Sequence, residues 1–314
     1  MGKISVIGAG SVGATIANDL MIQGVASEIV LVDVNKKKAV GEALDIYQGA
    51  PFCSPAIVRA GDYEDTANSD IVVITCGVAR KPGMTRLDLA QTNVSILKSV
   101  AENVTKYAPN SIYVIVSNPV DVLTYVFHKI SGIPENQIIG SGTILDTSRL
   151  QSALAKRFHI SPKKVHAHVY GEHGDSQFVP WSLAHIANNH VDAYRDSSPD
   201  KDRIKWNRDY EEIEEFVKKS GAQIIENKGA TFFAVAMSVC HICKCIYSDA
   251  GTALSISTMM HGEYGVDDVC LSTLALVDRS GVRGKILNPM TEEEIGKLRA
   301  SADKLKSVIN QIQF

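Results

Sequence analysis

A chain of 314 residues, 45% hydrophobic and 21% charged, can bury a sizeable core as two domains or as one large α/β domain, and its composition excludes disorder. A formal net charge of -3 gives no basic surface for a polyanion, so no nucleic-acid partner is expected. The opening MGKISVIGAG reads as a strand running into glycines rather than as an export signal, and no apolar run reaches the roughly 20 residues of a spanning helix; no membrane association is expected, and a cytoplasmic location is.

In chain order, short unbroken apolar runs alternate with longer amphipathic ones. KISVI, SEIVLVDVN, DIVVITCG, SIYVIVSNP and NQIIGSG read as strands, with six expected before about residue 142. SVGATIANDLMIQG, KKKAVGEALDIYQGA, LDLAQTNVSILKSVAENVTKY and VDVLTYVFHKISG read as helices. Apolar runs without alternation suit strands buried on both faces, so residues 1–142 are expected to form a doubly wound parallel α/β sheet. Residues 143–314 change texture: the strand VHAHVY runs into GEHGDS, the charged DRIKWNRDYEEIEEFVKKS follows, then ALSISTMM, VCLSTLALVDR and a helix from Glu292 to Gln311. This half is expected to be a mixed α+β domain. Within it, EEIEEFVKK reads as a solvated helix face.

Gly8, Gly10 and Gly13 form G-x-G-x-x-G directly after the first strand and at the start of a helical pattern. Such glycines permit a tight turn, close approach of backbone to a pyrophosphate and tight helix–strand packing, while the helix N-terminus offers free N–H donors. Asp33, twenty residues on at the end of the next strand, is placed to accept hydrogen bonds from ribose hydroxyls. A dinucleotide is therefore expected, and an acid at this position favours NAD over NADP. Lys36, Lys37 and Lys38 follow closely and read as a solvated helix start. The expected cofactor contacts are Gly8, Gly10, Ser11, Val12, Gly13, Asp33, Thr75, Gly77, Ser117 and Asn118. No metal site is expected: in CHICKC, Cys240, Cys243 and Cys245 lie in an apolar helical stretch and read as core, without the second pair of ligands a zinc site needs.

Reducing a carbonyl beside a nicotinamide requires a proton donor, a grip on the substrate and a polariser of the oxygen. His173, in the glycine-flanked turn GEHGDS, can exchange a proton near neutral pH. In LDTSRL, Asp146 and Arg149 are three apart and share a helix face. GAGSVG, Asp33, VSNP, LDTSRL and GEHGDS stand in the order typical of the NAD-dependent lactate/malate dehydrogenase family, which the chain resembles over essentially its whole length. The resemblance implies a Rossmann-type first domain and a catalytic second one. It also implies that His173 is the acid/base, that Asp146 orients its ring, and that Arg149 clamps the substrate carboxylate in a two-pronged ion pair. Asn118 is implied to help hold the nicotinamide and the substrate oxygen, and Arg86 to polarise the carbonyl as a loop closes.

The small 2-hydroxy or 2-keto acid is less plainly specified. Arg80 stands where the family carries glutamine for pyruvate and arginine for oxaloacetate, and taken alone it indicates malate. Thr231, the glutamate of GEHGDS, the tryptophan of VPWS and RLDLA after Arg86 are similar to the lactate enzymes, and the balance falls to lactate. His166 matches a histidine that grips fructose 1,6-bisphosphate in activated bacterial relatives; Gln151 replaces the arginine beside it, so weak or absent activation is expected. The resemblance further implies a homotetramer, or at least a dimer. An NAD-dependent glycosidase would need a metal site, and a non-catalytic NAD-binding protein would not need the set His173, Asp146, Arg149 and Arg86.

Overall fold

The computed structural model describes residues 2–78 and 85–314, with Arg86 described in its backbone alone. Six strands form in the first part, the number expected: β1 (Lys3–Ile7), β2 (Glu28–Val32), β3 (Ile57–Gly61), β4 (Ile71–Ile74), β5 (Ile112–Ile115) and β6 (Ile138–Gly140); β3, an edge strand only partly buried, is not among the runs named above. They lie in the order β3-β2-β1-β4-β5-β6, every pairing parallel. The helices α1 (Ser11–Ile22), α2 (Lys36–Tyr47), α3 (Arg86–Tyr107) and α4 (Val120–Ile130) join them, and α5 (Ile144–Phe158) leads out of β6. Buried Ile, Val and Leu fill both faces of the sheet, which is why these strands read as unbroken apolar runs. Strand order reverses between β1 and β4, and a crevice at the carboxyl ends of the strands opens at such a switch point.

The second part contributes β7 (Val165–His166), β8 (His185–Ile186), β9 (Asn189–His190), α6 (Val191–Ser197), α7 (Tyr210–Lys228), α8 (Phe233–Ser248), β10 (Thr252–His261), β11 (Asp267–Asp278), β12 (Gly281–Lys285) and α9 (Glu292–Ile309). The long strands do not form a sheet of their own. β10 pairs antiparallel with β6, and the described residues give one nine-stranded sheet, β12-β11-β10-β6-β5-β4-β1-β2-β3, which runs on across position 142. Gly140 makes the seam possible: a Cβ there would lie 2.4 Å from Thr124 Oγ1 and 2.8 Å from Ser257 Cβ. VHAHVY pairs as a strand only at Val165 and His166; further on, single bridges join Tyr170 to Phe178 and Gly171 to Ser272.

α8 packs on α1, and Cys240, Cys243 and Cys245 are buried there in the core. No helix among the described residues is long and apolar enough to cross a membrane.

The turn after β1 is as tight as the glycine spacing requires. A Cβ on Gly13 would stand 1.9 Å from the Gly8 carbonyl oxygen. Gly13→Ala is therefore expected to cost about 1–3 kcal/mol of stability in a urea titration, the usual range for an overpacked site; an unchanged midpoint would contradict this packing.

Candidate active site

Gly8 has φ +107°, a conformation that favours glycine, and Gly13 is fixed by the contact just described. Gly10 is different. Its φ is -73°, and a Cβ on it would meet nothing within 4 Å. Neither backbone nor packing demands glycine at position 10, so its bareness leaves room above the first turn of α1, where no side chain caps the helix. Asp33 ties this turn to the end of β2, its Oδ2 accepting from the Ala9 N–H at 2.7 Å and its Oδ1 from the Asn35 N–H at 2.8 Å. A hollow of about 830 Å³ is lined by Gly8, Gly10, Asp33, Thr75 and Gly77, among others. Lys36 and Lys38 also line it, Lys36 held by Asp62 at 2.7 Å in an exposed pair. Ser11 is exposed at the start of α1 and, like Gly13, lies beside the hollow rather than in its wall.

A second hollow, of about 510 Å³, shares residues 75–78 with the first. It brings together Val12, Thr75, Gly77, Ser117, Asn118, Asp146, Arg149, His173 and Thr231 from opposite halves of the sequence. Thr75 Oγ1 donates to the Gly8 carbonyl at 3.0 Å, which fixes the wall common to both hollows. Arg80 lies outside the described residues. Arg86 opens α3 directly after Thr85, whose hydroxyl caps the helix through the Asp88 N–H while Asp88 returns a bond to the Thr85 N–H.

Asp146 is 1% exposed in the first turn of α5. Its Oδ2 accepts from His173 Nδ1 at 2.5 Å and its Oδ1 from Arg149 Nη1 at 2.8 Å. The two residues three apart are thus not a surface pair, since the carboxylate between them and the histidine is out of solvent. Burial alone would raise the Asp146 pKa, but the facing His173 and Arg149 hold the carboxyl below its ordinary range. The same carboxylate raises the His173 pKa against the effect of burial. With Nδ1–H committed to Asp146, Nε2 is the nitrogen left to exchange a proton, and Arg149 offers its remaining N–H groups beside it.

Several residues of the site carry no motif. Asn93 is buried in α3; its amide donates to the Asn118 carbonyl at 2.7 Å and its Oδ1 accepts from the Val78 N–H at 2.8 Å, bracing two walls of the cavity. Asp121 accepts the His173 backbone N–H, and Ser301 of α9 accepts that of Glu172 at 2.8 Å, so the turn carrying His173 is held from two sides. EEIEEFVKK is not solvated throughout: Glu214 accepts from the Trp181 indole at 2.8 Å, and Lys218, Gly221 and Ala222 of α7 line the cavity. A polar residue in a helical stretch reads as a surface position from spacing alone, which hides these contributions.

The raised His173 contributes stability fully present below pH 6.5 and lost as pH rises through its folded value; the lowered Asp146 contributes stability present above 3.8 and lost as pH falls through its own. Asp146→Asn is expected to move the His173 titration midpoint downward in imidazole NMR spectra and to destabilise most between about pH 4 and pH 6.5. An unmoved midpoint would show that the contact does not govern the ring.

Residues 2–140 match the family described as lactate/malate dehydrogenase, NAD binding domain, and residues 143–313 that described as lactate/malate dehydrogenase, alpha/beta C-terminal domain. An L-lactate dehydrogenase of Clostridium botulinum is 47% identical over 98% of this chain and 96% of its own length. Two solved structures superpose along the chain. A lactate dehydrogenase from a Medee basin deep-sea metagenome library gives TM-score 0.95 at 36% identity, covering 100% of this chain and 99% of its own. A minor L-lactate dehydrogenase from Enterococcus mundtii gives 0.94 at 35%, covering 99% and 98%. The cofactor is accordingly NAD, and the residues fit it: the open space over Gly10, the uncapped first turn of α1 and the Asp33 carboxylate are what a pyrophosphate and a ribose require. Matched in both halves and aligned nearly end to end with its relatives, the chain belongs to the lactate/malate dehydrogenase family.

Proposed function

We propose that the protein is an NAD-dependent L-lactate dehydrogenase that interconverts pyruvate and L-lactate. The observation that carries this is the single buried carboxylate of Asp146 joining an imidazole and a guanidinium inside a cavity contiguous with the cofactor groove. NAD, when bound along Gly8, Gly10, Ser11, Val12, Gly13, Asp33, Thr75, Gly77, Ser117 and Asn118, supplies the hydride chemistry.

The protein's own residues divide the remaining work. Arg149 clamps the substrate carboxylate, fixing which face of C2 is presented. His173 Nε2 gives its proton to the C2 oxygen during reduction and takes it back during oxidation. Asp146 keeps the ring in the tautomer that leaves Nε2 free and stabilises the imidazolium. Asn118 contacts the substrate oxygen, and Arg86 is assigned to polarise it. Thr231 narrows the cavity near the substrate methyl group.

The L-lactate dehydrogenase names of the relatives weigh against the malate alternative that Arg80 suggested. Val40, Leu44 and Tyr47 form one exposed apolar face of α2, which supports self-association as a homotetramer or dimer. A cytoplasmic location goes with this reading, and the six cysteines, all free thiols, suit it. Gln151 donates its amide to the Ala167 carbonyl at 3.3 Å, which supports a weak response to fructose 1,6-bisphosphate at His166.

NADH oxidation is expected to be faster with pyruvate than with oxaloacetate, and Arg80→Gln is expected to change that ratio little; a preference for oxaloacetate that collapses in the variant would overturn the lactate assignment. In the same assay His173→Asn is expected to lose roughly 100- to 10,000-fold in turnover while still binding NADH. Full turnover in the variant would remove His173 as the acid. Adding the bisphosphate is expected to leave half-saturation by pyruvate nearly unchanged, and a large fall would refute the reading of Gln151.

A further inference from the structure

The Asp121 carboxylate has no part in the chemistry above, yet it lies against the residue that moves the proton. It stands in the first turn of α4, three residues after Asn118, and is 2% exposed. Its Oδ2 accepts the backbone N–H of His173 at 2.7 Å, and its Oδ1 is buried without a hydrogen-bond partner. A half-satisfied buried carboxylate is an expensive way to fasten a turn, because an amide oxygen would accept the same N–H without burying a charge. Burial pushes its pKa up to about 6, so it is largely ionised at neutral pH.

What a carboxylate does here that an amide cannot is act on the ring through space. The groups facing Asp121 are His173 and Glu172 of the turn, Ser257 of β10 and Cys270 of β11. Glu172 opposes its ionisation, and the His173 N–H and ring favour it. Cys270 is a buried thiol raised well above its ordinary range and stays neutral. His173 is therefore the cation that Asp121 meets, while Asp146 and Arg149 of α5 act on the same imidazole with opposite signs.

We propose that Asp121 is a positioning residue for His173, holding the turn by its backbone so that the ring reaches Asp146, and adding a second negative charge that favours the imidazolium. The N-terminus of α4 thereby links the cofactor side of the cavity, through Asn118, to the proton-transfer side. This rests on the lactate dehydrogenase reading.

Three variants separate the two contributions. Asp121→Asn keeps an acceptor and removes the charge. The alkaline limb of pyruvate reduction, which needs the imidazolium, and the acid limb of lactate oxidation, which needs the neutral ring, should both move to lower pH, with kcat at the optimum largely kept. Asp121→Ala removes the acceptor as well and should lower kcat a further tenfold or about that, with a smaller change in KM, as for a misplaced catalytic group. Asp121→Ser, neutral and smaller, carries the same pH test if the asparagine variant does not fold. Profiles of the neutral variants that overlie the wild type, or limbs that move upward, would overturn the proposal. The wild type assayed beside them keeps the two readings apart: a wild type inert toward pyruvate defeats the lactate dehydrogenase reading, whereas an active wild type matched in profile by Asp121→Asn defeats only the role of Asp121.

Discussion

One buried carboxylate ties together the candidate site of this molecule. Asp146 has one oxygen on the His173 ring and the other on the Arg149 guanidinium, and it is almost wholly buried. A charge in that position is tolerable only while both partners stay in place, since removing one member of a buried pair costs about 3–5 kcal/mol. The requirement extends outward. α5 must meet the turn at residues 171–175, and that turn must be pinned from behind, as Asp121 and Ser301 pin it. The group that would hold a substrate anion and the group that would exchange its proton are thus fixed relative to each other by the protein's own contacts.

The fold supplies this convergence through one sheet rather than two separate bodies. Parallel strands bring the glycine turn, the wall at residues 75–78 and the 117–118 turn to the same sheet end, where strand order reverses. Gly140 then lets β10 pair with β6, carrying the second half's strands into the same sheet. Gly142, with φ +52°, follows directly, and α5 starts at Ile144. The short path from β6 to Asp146 explains how a residue of the second half stands at the mouth of a groove built by the first.

The parallel half was legible because burial on both faces leaves unbroken apolar runs, and Gly8, Gly10, Gly13 and Asp33 carry requirements that few other residues meet. Asp146, Arg149 and His173 were legible only as an ordered set, and their mutual contact is a tertiary fact that spacing does not contain. The seam at Gly140 was not legible, because a glycine that admits a neighbouring strand looks like one that makes a turn. Two-residue strands such as β7, β8 and β9 are too short to show a period. Asn93 and Asp121 were missed for a related reason: a polar residue in a helical stretch signals a surface position unless its partner, far off in sequence, is known. Lys218 was hidden in a run of charges most of which do face water.

The most direct measurement is a crystal structure of the chain with NADH and oxamate, the unreactive amide analogue of pyruvate. The oxamate carboxylate should lie on the Arg149 guanidinium through two hydrogen bonds, with its C2 oxygen within hydrogen-bonding reach of His173 Nε2 and Asp146 still joining both side chains. Oxamate seated away from Arg149, or a His173 ring turned off Asp146 while the ligand is bound, would contradict the account.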